Sequence, residues 1–62
     1  MYLQLKKERK LQKKNGEYMA NIIKKKKAAY SKKERGDVAF TIEETKKISD
    51  DLGKPIEYLF ST

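Results

Sequence analysis

The apolar residues of this chain recur at helical spacing, in short clusters that are separated by turn residues. Met19, Ile22 and Ile23 have the i, i+3, i+4 spacing that is typical of the buried stripe of a helix, and residues 56–60 repeat it. No long stretch alternates apolar and polar residues as a half-buried strand does. The pattern therefore predicts an all-α domain of five short helices with short connections.

Capping and turn residues set the predicted ends of these helices. Asn15 is a suitable N-cap for the second helix, and Gly36 stands where the third helix stops. The segment TIEE at residues 41–44 has the form of a capping box, which begins the fourth helix. Gly53 ends that helix, and Pro55 suits the start of the fifth. The first four predicted helices span about residues 1–14, 16–23, 27–35 and 42–52.

The predicted helices differ in how clearly their apolar residues form one face. The leucines of the first helix do not share one face, and Tyr30 is the only large apolar anchor of the third. In the linker DVAF, we expect Val38 and Phe40 to contribute to the core. The expected core face of the fourth helix comprises Ile42, Thr45, Ile48 and Leu52.

Charge is distributed unevenly along the chain, whose formal net charge is +7. Residues 1–35 contain 13 Lys/Arg and 3 Asp/Glu, whereas residues 36–62 contain 3 and 6. A basic half beside a mildly acidic half indicates one surface that faces a polyanion, either nucleic acid or an anionic membrane. The apolar stripes fit a closed core, which argues against the membrane because membrane binding needs an exposed apolar face.

The residue types that are missing narrow the possible functions. The chain has no histidine and no cysteine, so the commonest general base, the thiolate metal ligands and disulfides are all absent. The carboxylates have no recognisable hydrolytic spacing, and no apolar run is long enough to span a bilayer. We therefore expect no enzymatic activity, no metal, no cofactor, no small-molecule ligand and no membrane association.

Three segments carry a resemblance to a known family: MANII, AAYSKKERG and TIEETKKISDDLGKPIEYLF. In order and spacing they resemble the Cro/repressor-type helix-turn-helix proteins of bacteria and their phages, also described as XRE-like or lambda-repressor-like. The resemblance covers residues 15–60 without a gap. It implies a single helix-turn-helix domain over residues 1–62, with motif helices at about 16–24 and 27–35. It also implies the cytoplasm of a bacterial host, in association with the nucleoid.

The chain departs from the family pattern in the turn, in the third helix and in the first. Residues 24–26, all lysine, occupy a turn that usually has glycine, an aliphatic residue and then serine or threonine, which indicates a longer second helix or an altered turn. Lys33 replaces a common aliphatic residue, so its stem is expected to cross the edge of the core. Glu8 stands where the first helix usually buries leucine. Either Leu11 takes that position after a shift in register, or the helix packs weakly.

The resemblance implies that the third helix enters the major groove of DNA while the second lies across the backbone. Lys27 and Ala28 occupy the first base-reading positions, and Lys32 lies one turn further along the same face. Lysine donates hydrogen bonds to guanine O6 and N7, and alanine packs against a thymine methyl group. The expected phosphate contacts are Lys24, Lys25, Lys26, Lys33, Arg35, Lys13 and Lys14.

The resemblance favours a transcriptional regulator of phage or mobile-element origin that binds operator DNA as a homodimer and blocks polymerase. No sequence remains for the C-terminal dimerisation or cleavage domain of the larger repressors, so we expect a small Cro-like member. The expected dimer surface is the linker DVAF, the fifth helix and the tail LFST, where charge repulsion is low. The alternative hypothesis is an antitoxin or a protein-interaction adaptor that uses the same fold.

Overall fold

Helices account for most of the computed structural model, which describes residues 1–61. The helices are α1 (Leu3–Leu11), α2 (Gly16–Ile22), α3 (Lys27–Arg35), α4 (Ile42–Leu52) and α5 (Ile56–Phe60). Helix α2 packs on α3, α1 packs on α5, and α4 contacts both α2 and α5. The described residues contain no strand, so the predicted all-α fold of five helices is confirmed.

One hydrophobic core joins the five helices. Tyr30 is fully buried in it, as the prediction that this residue anchors the third helix requires. Phe40 of the linker packs edge-on against Tyr30, with ring centroids 6.1 Å apart, and covers the core from one side. The buried apolar residues are Leu5, Met19, Ala20, Ile23, Tyr30, Ile48, Leu52 and Leu59.

The predicted caps define the starts of α2 and α4. Asn15 Oδ1 accepts a hydrogen bond from the backbone N–H of Tyr18 at 2.8 Å. In the capping box, Thr41 Oγ1 accepts from the backbone N–H of Glu44 at 3.1 Å, and Glu44 Oε1 accepts from the backbone N–H of Thr41 at 2.9 Å. Gly36 follows α3 with a φ of 91°, a left-handed conformation that glycine adopts without a steric cost. These local interactions explain why α3 and α4 have their predicted bounds.

Helix α1 is shorter than predicted and buries a different face. It ends at Leu11, and Leu11 itself is 66% exposed, whereas Glu8 is only 8% exposed. Leu5, Glu8 and Gln12 lie on one face because their spacing of three and four residues matches the helical repeat. Gln12 Nε2 donates to Glu8 Oε1 at 3.1 Å and so provides the buried carboxyl with a partner. The predicted replacement of Glu8 by Leu11 is therefore wrong.

Helix α4 buries Glu44, Ile48 and Leu52, and the prediction that Ile42 shares this face is wrong. Ile42 is 75% exposed. At about 100° per residue, its side chain points roughly 120° away from that of Ile48. Val38 in the preceding linker is also exposed rather than buried in the core.

Candidate nucleic-acid interface

The turn between α2 and α3 keeps a regular helix C-terminus although it has no glycine. Lys25 N donates to Ala20 O at 2.9 Å and Lys24 N donates to Asn21 O at 3.2 Å, which are the two hydrogen bonds of a Schellman motif. The motif needs a left-handed residue, and Lys24 supplies it with a φ of 57°. Helix α2 therefore ends at Ile22, before its predicted end. The predicted alternative of a longer second helix is therefore wrong.

Replacing Lys24 with glycine is expected to stabilise the domain by about 1 kcal/mol. A side chain costs roughly 1–2 kcal/mol in the left-handed conformation, and the greater freedom of glycine in the unfolded chain removes part of the gain. Urea denaturation followed by far-UV circular dichroism measures the change. Lys25→Gly is the matched control, because Lys25 has the same charge but no positive φ, so this change destabilises. If the Lys24→Gly protein is no more stable than the wild type, the left-handed conformation of Lys24 has no measurable energetic cost, which would contradict this prediction.

Helix α3 exposes the residues to which the resemblance assigns base contacts. Lys27, Ala28 and Lys32 are all exposed, and no side chain caps the start of the helix. Ala28 and Lys32 line an open cavity together with the turn lysines, residues 24–26. Lys27 lies elsewhere, since its aliphatic stem passes 3.8 Å from the position that a Cβ on Gly16 would take. The structure thus brings Ala28 and Lys32 to the turn, and places Lys27 at the start of α2.

Lys33 is held inside the protein by an ion pair. Its Nζ lies 2.6 Å from Glu44 Oε1, and the two side chains are 9% and 7% exposed. The stem crosses the edge of the core as predicted, but the ammonium group ends on Glu44 rather than in water. Lys33 therefore ties α3 to the first turn of α4, and we leave it out of the proposed phosphate contacts.

The carboxyl of Glu44 stays ionised although it is buried. Burial by itself raises the pKa of this carboxyl, but the hydrogen bonds that Lys33 Nζ and Thr41 N donate to it lower the pKa by more. The net pKa of Glu44 lies below its ordinary value of 4.5. Lys33 consequently faces a full negative charge at neutral pH.

A second ion pair holds α3 from the side of α1. Arg9 Nε lies 2.9 Å from Glu34 Oε1, and the backbone N–H of Tyr2 donates to Glu34 O at 3.1 Å. The Tyr30 hydroxyl donates to the side-chain carboxylate of Glu34, at Oε1, over 3.5 Å. Burial, and then the negative charge of Glu34, raise the pKa of Tyr30 above its ordinary range. Contacts with α1 and α4 therefore hold the buried side of α3 in one orientation.

The other predicted phosphate contacts differ in how freely they can meet an anion. Lys14 Nζ donates to Asp51 Oδ2 at 2.7 Å, and this hydrogen bond raises the pKa of Lys14, so we leave this residue out as well. Arg35 pairs with Asp37 at 3.2 Å, but both side chains are more than half exposed, and such a pair is weak. Lys13 is exposed. Among residues 1–61, no carboxylate forms an ion pair with Lys13 or with the turn lysines.

The two ion pairs that hold α3 in place were missed by sequence reasoning. The capping box identifies Glu44 as a helix cap, but nothing in the sequence indicates that the same oxygen accepts from Lys33. Arg9 and Glu34 are separated by 25 positions in the chain, and no periodicity connects them. Their roles depend on the packing of α1 and α4 against α3.

Comparison with known proteins agrees with this geometry. A family model described as helix-turn-helix (HTH_3) matches residues 5–59, which extend from α1 to α5 and include the turn and α3. No curated protein and no solved structure matches the chain significantly. None of the helices within residues 1–61 has the length and apolar character that crossing a membrane requires. The chain belongs to the helix-turn-helix family of DNA-binding transcriptional regulators.

Proposed function

We propose that this protein is a small Cro-like repressor of phage or mobile-element origin, which binds operator DNA as a dimer and blocks transcription by occupying a promoter. The observation that carries the proposal is the lysine turn beside the exposed face of α3. No carboxylate of residues 1–61 pairs with the turn lysines, residues 24–26, and they adjoin Ala28 and Lys32. Unpaired ammonium groups beside the exposed face of a helix suit a groove lined by phosphates.

The proposed contacts divide into two classes. Lys13, the turn lysines and Arg35 contact phosphates, which position the protein without selecting a sequence. Lys27, Ala28 and Lys32 contact base edges in the major groove and select the operator. The ion pairs of Lys33 and Glu34 support this division, because they hold the buried side of α3 while its outer face stays available.

The proposed dimer surface is centred on Phe40 and α5. The rings of Phe40 and Phe60 meet edge-on with centroids 5.0 Å apart, and Tyr2 contacts both at 5.5 Å. All three side chains are only partly buried, and aromatic residues are enriched at protein interfaces. Val38, from the same linker, lines the cavity beside α3 and is left out of this surface. Thr62, the last residue of the tail LFST, lies outside the described residues.

Selection of bound sequences from a random DNA pool, at about 0.1 M salt, tests the proposal. We expect a palindromic site whose half-sites lie roughly 34 Å apart, one turn of the double helix. An enriched site without this symmetry would contradict the dimer. A bound pool with no enriched sequence would contradict sequence-specific regulation.

The dependence of DNA affinity on salt concentration provides a second, quantitative test. If Lys13, the turn lysines and Arg35 of each protomer contact phosphate, about ten contacts per dimer give a log–log slope of roughly −9. Lys25→Ala removes one phosphate contact from each protomer, so the slope is expected to become shallower by about 2. Lys46→Ala, an exposed lysine of α4, is the matched control and leaves the slope unchanged. A slope near zero for the wild type would contradict DNA binding altogether.

A further inference from the structure

An open cavity of about 530 Å³ lies beside α3, between the turn that precedes the helix and the loop that follows it. This volume is within the range of roughly 300–1,000 Å³ that is usual for small-molecule sites. The cavity shares Ala28 and Lys32 with the proposed DNA-binding face. It is lined by Lys24, Lys25, Lys26, Ala28, Ala29, Lys32, Lys33 and Val38.

The floor of this cavity is apolar. Ala28 and Ala29 contribute methyl groups from α3, and Val38, a residue that is 44% exposed, contributes an isopropyl group. Lys33 contributes only its methylene stem, because its ammonium group is paired with Glu44 inside the protein. An exposed apolar surface of this kind is stabilised when an apolar group covers it.

The rim of the cavity is strongly positive. Lys24, Lys25, Lys26 and Lys32 are all exposed, and no acidic residue is among the lining residues. None of these four ammonium groups forms an ion pair with a carboxylate of residues 1–61. The rim is therefore complementary to an anion, and the floor is complementary to an apolar body.

Duplex DNA matches the rim better than it matches the floor. Its phosphates can neutralise the lysines, but the backbone is polar, and the apolar group that a base edge offers in the major groove is the thymine methyl. A single methyl group is far smaller than the cavity. The combination of an apolar floor with a cationic rim therefore fits a second class of ligand better.

We propose that this cavity binds a small anionic amphiphile, which has a flat or aliphatic apolar body and a carboxylate or phosphate group. The body covers Ala29 and Val38, and the anionic group pairs with the lysines of the rim. This ligand class goes beyond the sequence-based expectation that no small molecule binds. Since the ligand occupies lysines that DNA phosphates also need, ligand and DNA exclude each other. This second consequence rests on the proposed function, and the coupling between the two affinities is reciprocal.

Titration of the free protein with 2-naphthoate, a rigid probe that does not form micelles, tests the site without DNA. We expect a Kd on the order of 1 mM, as is reasonable for a probe of this size, with NMR shifts of the methyl groups of Ala28, Ala29 and Val38. Acetate has the charge alone, and 2-naphthalenemethanol has the ring system alone. Each is expected to bind at least about tenfold more weakly than 2-naphthoate. Equal affinities for acetate and 2-naphthoate would overturn the proposal that the apolar floor contributes to binding.

Val38→Asp places a carboxylate at the floor and is expected to weaken 2-naphthoate binding by about tenfold through like-charge repulsion. The matched control is Ile42→Asp, which adds the same charge at an exposed apolar residue outside the lining residues and leaves 2-naphthoate binding unchanged. An unchanged affinity in Val38→Asp, or methyl shifts spread over the whole surface, would overturn the site. Tight binding of an acidic peptide without any binding of 2-naphthoate would also overturn it, in favour of a protein partner.

A competition experiment separates the site from the proposed function. We expect 2-naphthoate to release the selected operator from the wild type, and to release it about tenfold less effectively from Val38→Asp. If 2-naphthoate binds but the operator stays bound, the mutual exclusion is overturned and the site stands. If no DNA binds the protein, the proposed function fails, and the titration of the free protein still decides whether the cavity binds an anionic amphiphile.

Discussion

Replacing Glu44 with alanine is expected to lower the free energy of unfolding by about 3–5 kcal/mol, because the change leaves the buried ammonium of Lys33 without its partner. Glu44 Oε1 accepts from Lys33 Nζ at 2.6 Å and from Thr41 N at 2.9 Å, so one side chain serves both the ion pair and the helix cap. A domain this small has little stability to lose, and much of the variant should be unfolded at room temperature. Urea denaturation followed by far-UV circular dichroism measures the loss.

Two variants show whether the pair itself is responsible. Glu43→Ala is the matched control, because Glu43 is an exposed acidic residue in the same first turn of α4, and its loss costs only about 0.3–1 kcal/mol. The double change Lys33→Leu with Glu44→Gln removes both charges, keeps a side chain that can complete the capping box, and should recover most of the stability. Equal effects of Glu44→Ala and Glu43→Ala would contradict the role of the buried pair.

The pH dependence of stability provides a further control on the same pair. The pKa of Glu44 is lowered in the folded protein, so the unfolded chain binds a proton on this residue first as the pH falls. The contribution of Glu44 is therefore fully present above its ordinary pKa of 4.5, and it is lost as the pH falls below that value. The double variant lacks this carboxyl and should show a weaker loss of stability in acid. Identical acid profiles for the two proteins would contradict the lowered pKa.

Lys27→Ala and Lys32→Ala are each expected to cost about 1–3 kcal/mol of discrimination between the selected operator and random DNA. Both lysines are exposed on α3 and can donate to guanine O6 and N7. Their loss should relax the preference at one base position each, while the fold stays intact because neither side chain is in the core. Affinities for operator and random duplexes, measured at one salt concentration, test this.

Lys25→Ala is the matched control for base recognition. It removes the same charge from the adjoining turn, where a phosphate contact is proposed, so binding to operator and random DNA should weaken equally. If Lys27→Ala or Lys32→Ala also weakens both duplexes equally, that lysine contacts phosphate and not a base. Because Lys27 lies toward Gly16 and Lys32 lies at the turn, the two changes are expected to affect different base positions.

The ends of the helices could be predicted because they depend on near neighbours in the chain. Asn15 and Thr41 cap α2 and α4, and Gly36 ends α3, through hydrogen bonds that span one turn or slightly more. Tyr30 could be assigned to the core because α3 has no other large apolar residue. The family resemblance rests on the same local order of apolar, capping and turn residues, and the family match covers all of it except Phe60.

Faces of helices were predicted less well, because apolar character alone does not decide which side is buried. In α1 the buried stripe includes Glu8, and the apolar Leu11 is exposed, since the register is set by packing against α5 and by the hydrogen bond from Gln12. In α4 the buried side includes Glu44, and the apolar Ile42 lies on another face. A carboxyl that finds a partner can replace leucine in a core, and no local pattern reveals that partner.

The sequence by itself determined the five helices, their caps, the basic surface and the family, because each of these follows from residue type and short-range spacing. The tertiary structure decided which lysines are available to an anion. Lys33 and Lys14 meet Glu44 and Asp51 only after distant segments pack together, whereas the turn lysines have no such partner in residues 1–61. The cavity beside α3 likewise exists only once the turn, the helix and Val38 come together. Ion pairs and cavities are properties of packed surfaces, so they depend on contacts that no short window of sequence contains.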